Sequence, residues 1–193
     1  MRTRHPRTDH PSPPLLISLL LNLALILPLA SQVGAEERDP YAHFFRTTFG
    51  DFQGELELAR DEGKKGILIF FEMDACPFCH RMKDNVLNQR QVQEYYNAHF
   101  ANFSVDVEGA IQITDFQGES TTEQAWAFEE HGVRATPVFQ FFNLDGEPIA
   151  RLTGPTSSVE EFLWLGEYVE GGHYEDQSFS RYRRERQQEA RGG

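Results

Sequence analysis

Gly66-Ile67-Leu68-Ile69-Phe70-Phe71-Glu72-Met73-Asp74-Ala75-Cys76-Pro77-Phe78-Cys79 is the stretch from which the fold can be read. Its first six residues form a continuous apolar run of β-branched and aromatic type, the pattern of a strand buried on both faces. Helix-compatible sequence follows the cysteines to about His99. Cys76 therefore falls where a strand hands over to a helix. The two cysteines of this stretch are the only ones in 193 residues. A disulfide framework for a small secreted fold would need more bridges at wider spacing. Closing so short a loop removes about 2 kcal/mol of unfolded-chain entropy, against nearly 5 for a loop of ~100 residues. Reversible chemistry is thus a better reason for the pair than stability.

Working outward, Asp51 predicts an N-cap for a helix over Phe52 to Glu62, with Phe52, Leu56 and Ala59 on one face. Phe100 to Val107 reads as a second strand. Ser120-Thr121-Thr122-Glu123 fits a capping box opening a helix to about His131, which Gly132 ends. After Pro137, Val138 to Phe142 is again a strong strand; Asp145-Gly146 predicts a hairpin turn and Ile149 to Leu152 the return strand. Gly154-Pro155 breaks it. Ser157 or Ser158, with Glu160 or Glu161 three residues on, caps a last core helix to about Val169. The order of elements predicts a three-layer α/β domain around a mixed sheet. Arg181 to Arg191 reads as an exposed helix or a frayed tail.

At the N-terminus, Arg2, Arg4 and Arg7 precede an apolar stretch from Leu15 to Ala30, and Val33-Gly34-Ala35 offers small residues before Glu36-Glu37. That is the layout of a cleavable secretory signal over residues 1–35. The alternative is an uncleaved anchor, against which stand Pro28 and a run short of the ~20 residues a spanning helix needs. Removing residues 1–35 leaves 158, enough for one core, with 15 basic against 29 acidic side chains. Such a surface should repel nucleic acid and anionic lipid.

The strand, the Cys-Pro-Phe-Cys helix, and Ala135-Thr136-Pro137 followed by a strand, hairpin, glycine and helix together resemble the thioredoxin superfamily. The strings Phe71 to Cys79, Thr114-Asp115-Phe116-Gln117-Gly118-Glu119 and Thr136 to Phe142 look more narrowly like the periplasmic SoxW-type thioredoxins linked to sulfur oxidation. The resemblance implies a thioredoxin fold, with a central mixed sheet flanked by helices, over residues 36–175. Residues 176–193 would be a polar helix or tail.

It also implies an activity. The protein would be a monomeric, cofactor-free thiol–disulfide oxidoreductase of the periplasm, acting on protein thiols and disulfides and fed by a membrane electron donor in the reducing direction. At a helix start, orphan N–H groups and the helix dipole would lower the Cys76 pKa below about 8.5 and make it the attacking sulfur. Cys79, one turn in, would resolve the mixed disulfide. Pro77 suits the first helical turn, and Phe78 tunes the potential. By resemblance the Thr136-Pro137 bond should be cis, with Pro137 against the dithiol and the Thr136 backbone pairing with an extended substrate; Gly154 would shape the same groove.

One position departs from the family. Thioredoxins carry a buried aspartate six residues before the first cysteine, where this chain has Phe70. Glu72, two residues on and so on the same strand face, is the candidate replacement as proton acceptor; the alternative is a solvent-facing carboxylate. Cys76-Pro77-Phe78-Cys79-His80 also satisfies the c-type haem pattern. A haem protein would need His80 as axial ligand and a distal partner, for which Met73 and Met82 are too close and His99, His131 and His173 stay open, and a buried strand before the motif suits haem poorly. Zinc would need two more ligands than the cysteine pair offers, so no metal is expected. A redox-inert binding module is the remaining alternative.

Overall fold

The computed structural model describes residues 36–192; the signal segment read over residues 1–35 lies outside them. Helix α1 (Pro40–His43) and α2 (Phe52–Asp61) lead into strand β1 (Gly66–Glu72), and α3 (Pro77–Met82) follows. Asp51 caps α2 as expected, its carboxylate accepting from the Gly54 N–H at 3.0 Å. The helical sequence after the cysteines is divided in two. Helix α3 widens into a π-type turn over Lys83–Leu87, Asn88 and Gln89 break it, and α4 (Arg90–His99) resumes. At the break, extended Gln89 pairs with Glu37 and Asn88 accepts from the Arg38 N–H, so the first described residues run alongside it.

Strands β2 (Phe100–Asp106), β5 (Val138–Phe142) and β6 (Pro148–Thr153) complete a four-stranded sheet of order β2-β1-β5-β6. β2 runs parallel to β1 and β5 antiparallel, with Phe71 opposite Val138. Every residue of β1 is buried, as its unbroken apolar run requires. Leu68 and Phe70 pack on one side with α3, α4 and α6 (Val159–Glu170); Ile67, Ile69 and Phe71 pack on the other with α2. The expected three layers follow.

Three local expectations need correction. Ser120 to Thr122 do not open a helix: they form strand β4 (Ser120–Thr122), paired antiparallel with β3 (Gln112–Thr114). Thr122 is the N-cap of a short α5 (Glu123–Ala125), accepting from the Ala125 N–H at 3.1 Å, so Glu123 is the first helical residue and no capping box forms. The hairpin loop is also longer than Asp145-Gly146, because Asn143 Oδ1 accepts from the Asp145 and Glu147 amides and gathers residues 143–147 into one turn. Gly146 is obligatory there. Its φ is 77°, and a Cβ would stand 2.7 Å from that of Phe116. Finally, the polar C-terminal segment takes the helical one of its two expected forms, α7 (Phe179–Gly192), but is docked along one face rather than exposed all round. Tyr182 is buried against Tyr168 of α6.

His131 ends the helical turn after α5 and packs edge-on to Trp126 and Phe142, its Nε2 buried without a partner among the described residues. Burial, and secondarily the Arg151 guanidinium, lower its pKa from 6.5 to about 4. Above pH 6.5 the ring is neutral folded or unfolded. Below it the unfolded chain takes up a proton that the folded chain refuses, so stability is lost as pH falls from 6.5 towards 4. At 1.36 kcal/mol per pH unit the ceiling is about 3 kcal/mol, which the ring's partial exposure reduces to roughly 2. Urea midpoints at pH 7.5 and 4.5 should show His131→Phe losing less stability than wild type on acidification; equal losses would rule His131 out as the cause.

Candidate active site

Cys76 stands four residues beyond the end of β1 and is the N-cap residue of α3. Extended at φ −108°, it accepts from the Cys79 N–H through Sγ at 3.0 Å, while its carbonyl accepts from the His80 N–H at 3.1 Å. Pro77 takes the first helical position, where no N–H is required. Cys76 and Cys79 are joined as a disulfide with Cα atoms 5.2 Å apart. Both are buried among Leu68, Phe70 and Met82, Cys79 fully and Cys76 to 2% exposure. The sulfur expected to attack is therefore recessed in the disulfide form. The exposed part of the motif is Phe78, at 53%.

The Thr136–Pro137 peptide is cis. Because β5 runs antiparallel to β1 and starts opposite Phe71, Pro137 lies at the same end of the sheet as Cys76. Thr136 Oγ1 is buried without a hydrogen-bond partner among the described residues. Gly154 joins this group directly, its N–H donating to the Pro137 carbonyl at 2.8 Å. Its φ of 91° is what calls for glycine, since a Cβ there would meet open space.

Glu72 is not solvent-facing. It is 6% exposed, and its carboxylate accepts three hydrogen bonds: from Lys83 Nζ at 2.6 Å, Tyr41 Oη at 2.9 Å and Ser104 Oγ at 2.5 Å. Lys83 Nζ also donates to Tyr41 Oη at 2.8 Å, which closes a ring. Burial pulls the Lys83 pKa down, but its bonds to Glu72 and Tyr41 outweigh that and leave it raised. Phe70, where the family's acid would stand, instead stacks on Phe45 and Phe139 in the same apolar cluster as both sulfurs. A carboxylate at that depth would have no polar neighbour; two residues on, the strand end brings Glu72 to three donors.

Lys83, Tyr41 and Ser104 escaped sequence reasoning. Only Lys83 left a signal: it lies four residues after Cys79 and so one turn along the same helical face, and its N–H donates to the Cys79 carbonyl. Tyr41 and Glu72 also line an open cleft of about 710 Å³ with Met73 and Asp74, the residues leading to Cys76. His80 binds back to that segment, its Nε2 2.8 Å from the Asp74 carbonyl.

A disulfide in the first turn of a helix that follows a central strand, with Pro137 at the same end of the sheet, defines a thiol–disulfide exchange centre. The chain belongs to the thioredoxin-like domain family, which matches residues 52–170, and is a thiol–disulfide oxidoreductase of that family. No curated protein matches it in sequence. Among solved structures it is similar to a putative disulphide-isomerase from Bacteroides thetaiotaomicron, at 27% identity and a TM-score of 0.50, over 64% of this chain and 91% of that one. A thioredoxin-fold protein from Helicobacter pylori is similar at 21% identity and a TM-score of 0.51, over 62% and 83%.

Proposed function

We propose that the protein is an exported, SoxW-like thioredoxin that reduces disulfides in periplasmic proteins, works as a monomer without a cofactor, and is re-reduced by a membrane electron donor. The observation that carries the exchange chemistry is the Cys76–Cys79 disulfide closing the start of α3. Residues 77–87 form one helical body with its π-type turn, so the free N–H groups of its first turn face the Cys76 sulfur and favour a thiolate. In the reduced protein, Cys76 Sγ⁻ attacks one sulfur of a substrate disulfide; that S–S bond breaks and the departing sulfur takes up a proton. Cys79 then gives up its proton and attacks Cys76 Sγ, releasing the second substrate thiol and forming the Cys76–Cys79 bond. Two electrons pass to the substrate.

Glu72, the carboxylate at the end of β1, is the acceptor we assign to the Cys79 proton. Pro137 and the Thr136 backbone would seat an extended substrate, with Gly154, Pro77 and Phe78 bordering it. Export rests on the basic-then-apolar layout of residues 1–35 and cleavage after Ala35. The reducing direction rests on the SoxW resemblance. Equilibration with glutathione, together with trapping of the in-cell thiol state, tests it. A reductase should be found reduced, with a potential below about −200 mV; a pair found oxidised, with a potential near about −120 mV, would make it an oxidase.

A further inference from the structure

Helix α7 lies beyond residues 52–170, the span of the family match, yet through Glu161 it connects to the loop that follows β6 and is bonded to Pro137. We propose that α7 clamps residues 154–158 and that Arg183 is the positioning residue through which it holds that loop for a protein substrate. The proposal rests on the disulfide-exchange reading above.

The loop is fixed at three points. Its first residue, Gly154, donates to the Pro137 carbonyl. Thr156, buried, sets Oγ1 3.7 Å from the Met82 sulfur, and Met82 belongs to α3 and to the apolar cluster that holds both cysteines. Ser157 donates through its N–H, at 3.1 Å, and through its hydroxyl to Glu161 Oε2. Glu161 is itself buried, in the first turn of α6. A lone carboxylate there would be costly to keep ionised. Arg183 supplies the counter-charge, its Nη1 donating to Glu161 Oε1 at 2.6 Å. Burial pushes the Glu161 carboxyl up, and the bonds from Ser157 and Arg183 outweigh it and hold it below the usual range.

The two oxygens of one carboxylate thus divide their partners: one faces α7, the other the loop. Arg183 is not a free arm. Tyr182 beside it is buried against Tyr168 and His173, and Arg186 pairs with Glu167 of α6 at 2.5 Å. The clamp is therefore carried by a docked helix, and it ends on a loop bonded to the cis-proline. A small disulfide needs only the Cys76 sulfur. A polypeptide must also lie along Pro137 and the adjoining loop, so loosening residues 154–158 should weaken its binding and leave the chemical step alone.

Dithiol-driven reduction of insulin and of hydroxyethyl disulfide, at a temperature where each variant is folded by circular dichroism, tests this. Arg183→Met should raise KM for insulin about fivefold, equivalent to ~1 kcal/mol, with kcat and hydroxyethyl disulfide turnover within about twofold of wild type; Arg183→Lys, which keeps a donor and the charge, should restore KM. Because Arg183→Met strands a buried charge, Glu161→Leu/Arg183→Met serves as its control: it removes both charges, a change often neutral for stability. It also strips Ser157 of its acceptor and should raise KM equally. An unchanged insulin KM in either folded variant, with small-disulfide turnover intact, overturns the clamp alone. Absence of small-disulfide turnover in the wild-type chain overturns the exchange reading and the clamp with it.

Discussion

Cys79→Ser is expected to accumulate a covalent adduct with its substrate, whereas Cys76→Ser should give neither adduct nor turnover. The asymmetry follows from position. Cys76 is the N-cap of α3 and accepts the Cys79 N–H at its sulfur, a bond that strengthens when that sulfur carries charge. Both sulfurs are recessed, Cys76 at 2% exposure and Cys79 at none, but Cys79 lies one turn further in, so an incoming disulfide meets the N-cap sulfur first. With serine at 79 the first exchange proceeds and the second has no attacking sulfur, so the mixed disulfide persists until an external thiol releases it. Turnover should fall at least ~10³-fold in either variant, the scale on which loss of a covalent nucleophile acts. Non-reducing electrophoresis and intact mass spectrometry after mixing with insulin read the adduct directly. An adduct on Cys76→Ser instead would exchange the two assignments.

Lys83→Met should be the most destabilising single change at the site, by about 3 kcal/mol, because it leaves the Glu72 carboxylate buried without its counter-charge. Tyr41 and Ser104 would still donate to Glu72, which keeps the loss near the lower end of the range for broken buried pairs. Glu72→Leu/Lys83→Met removes both charges and should recover most of the stability, as paired replacement by apolar groups often does. The same residues separate stability from chemistry. Glu72→Gln keeps the shape and one acceptor oxygen but strands the Lys83 ammonium, so it too should lose stability; compared at a temperature where it is folded, its mixed disulfide should decay more slowly if Glu72 takes the Cys79 proton. Decay at the wild-type rate would leave Glu72 with a packing role only.

The strands around the site were legible because their chemistry is unbroken: Ile67 to Phe71 and Val138 to Phe142 are buried throughout and read as such without knowledge of their neighbours. The helix start at Cys76 was legible from the change of pattern after the strand, whereas the cis bond at Pro137 came through the family resemblance. What failed was either a pattern with two solutions or a contact made at long range. Ser120 to Glu123 satisfies a capping rule and also suits a polar strand, and pairing with Gln112 to Thr114 decided for the strand. The burial of Glu72 depends on Tyr41, Lys83 and Ser104, which stand 31, 11 and 32 residues away. The docking of α7 rests on carboxylates of α6 that, in sequence, look like ordinary solvated charge.

Two of the partners described above, Tyr41 and Arg183, lie on opposite sides of the 52–170 span that the family shares. One joins the carboxylate ring at the end of β1; the other ties down the loop beyond the cis-proline. The span of the family match and the set of side chains that hold the site therefore have different borders. Grafting residues 52–170 into another protein would transplant the dithiol and its sheet while leaving Tyr41 and Arg183 behind. A chimera of that kind should still exchange small disulfides while losing the hold that those two side chains exert on the carboxylate ring and the loop.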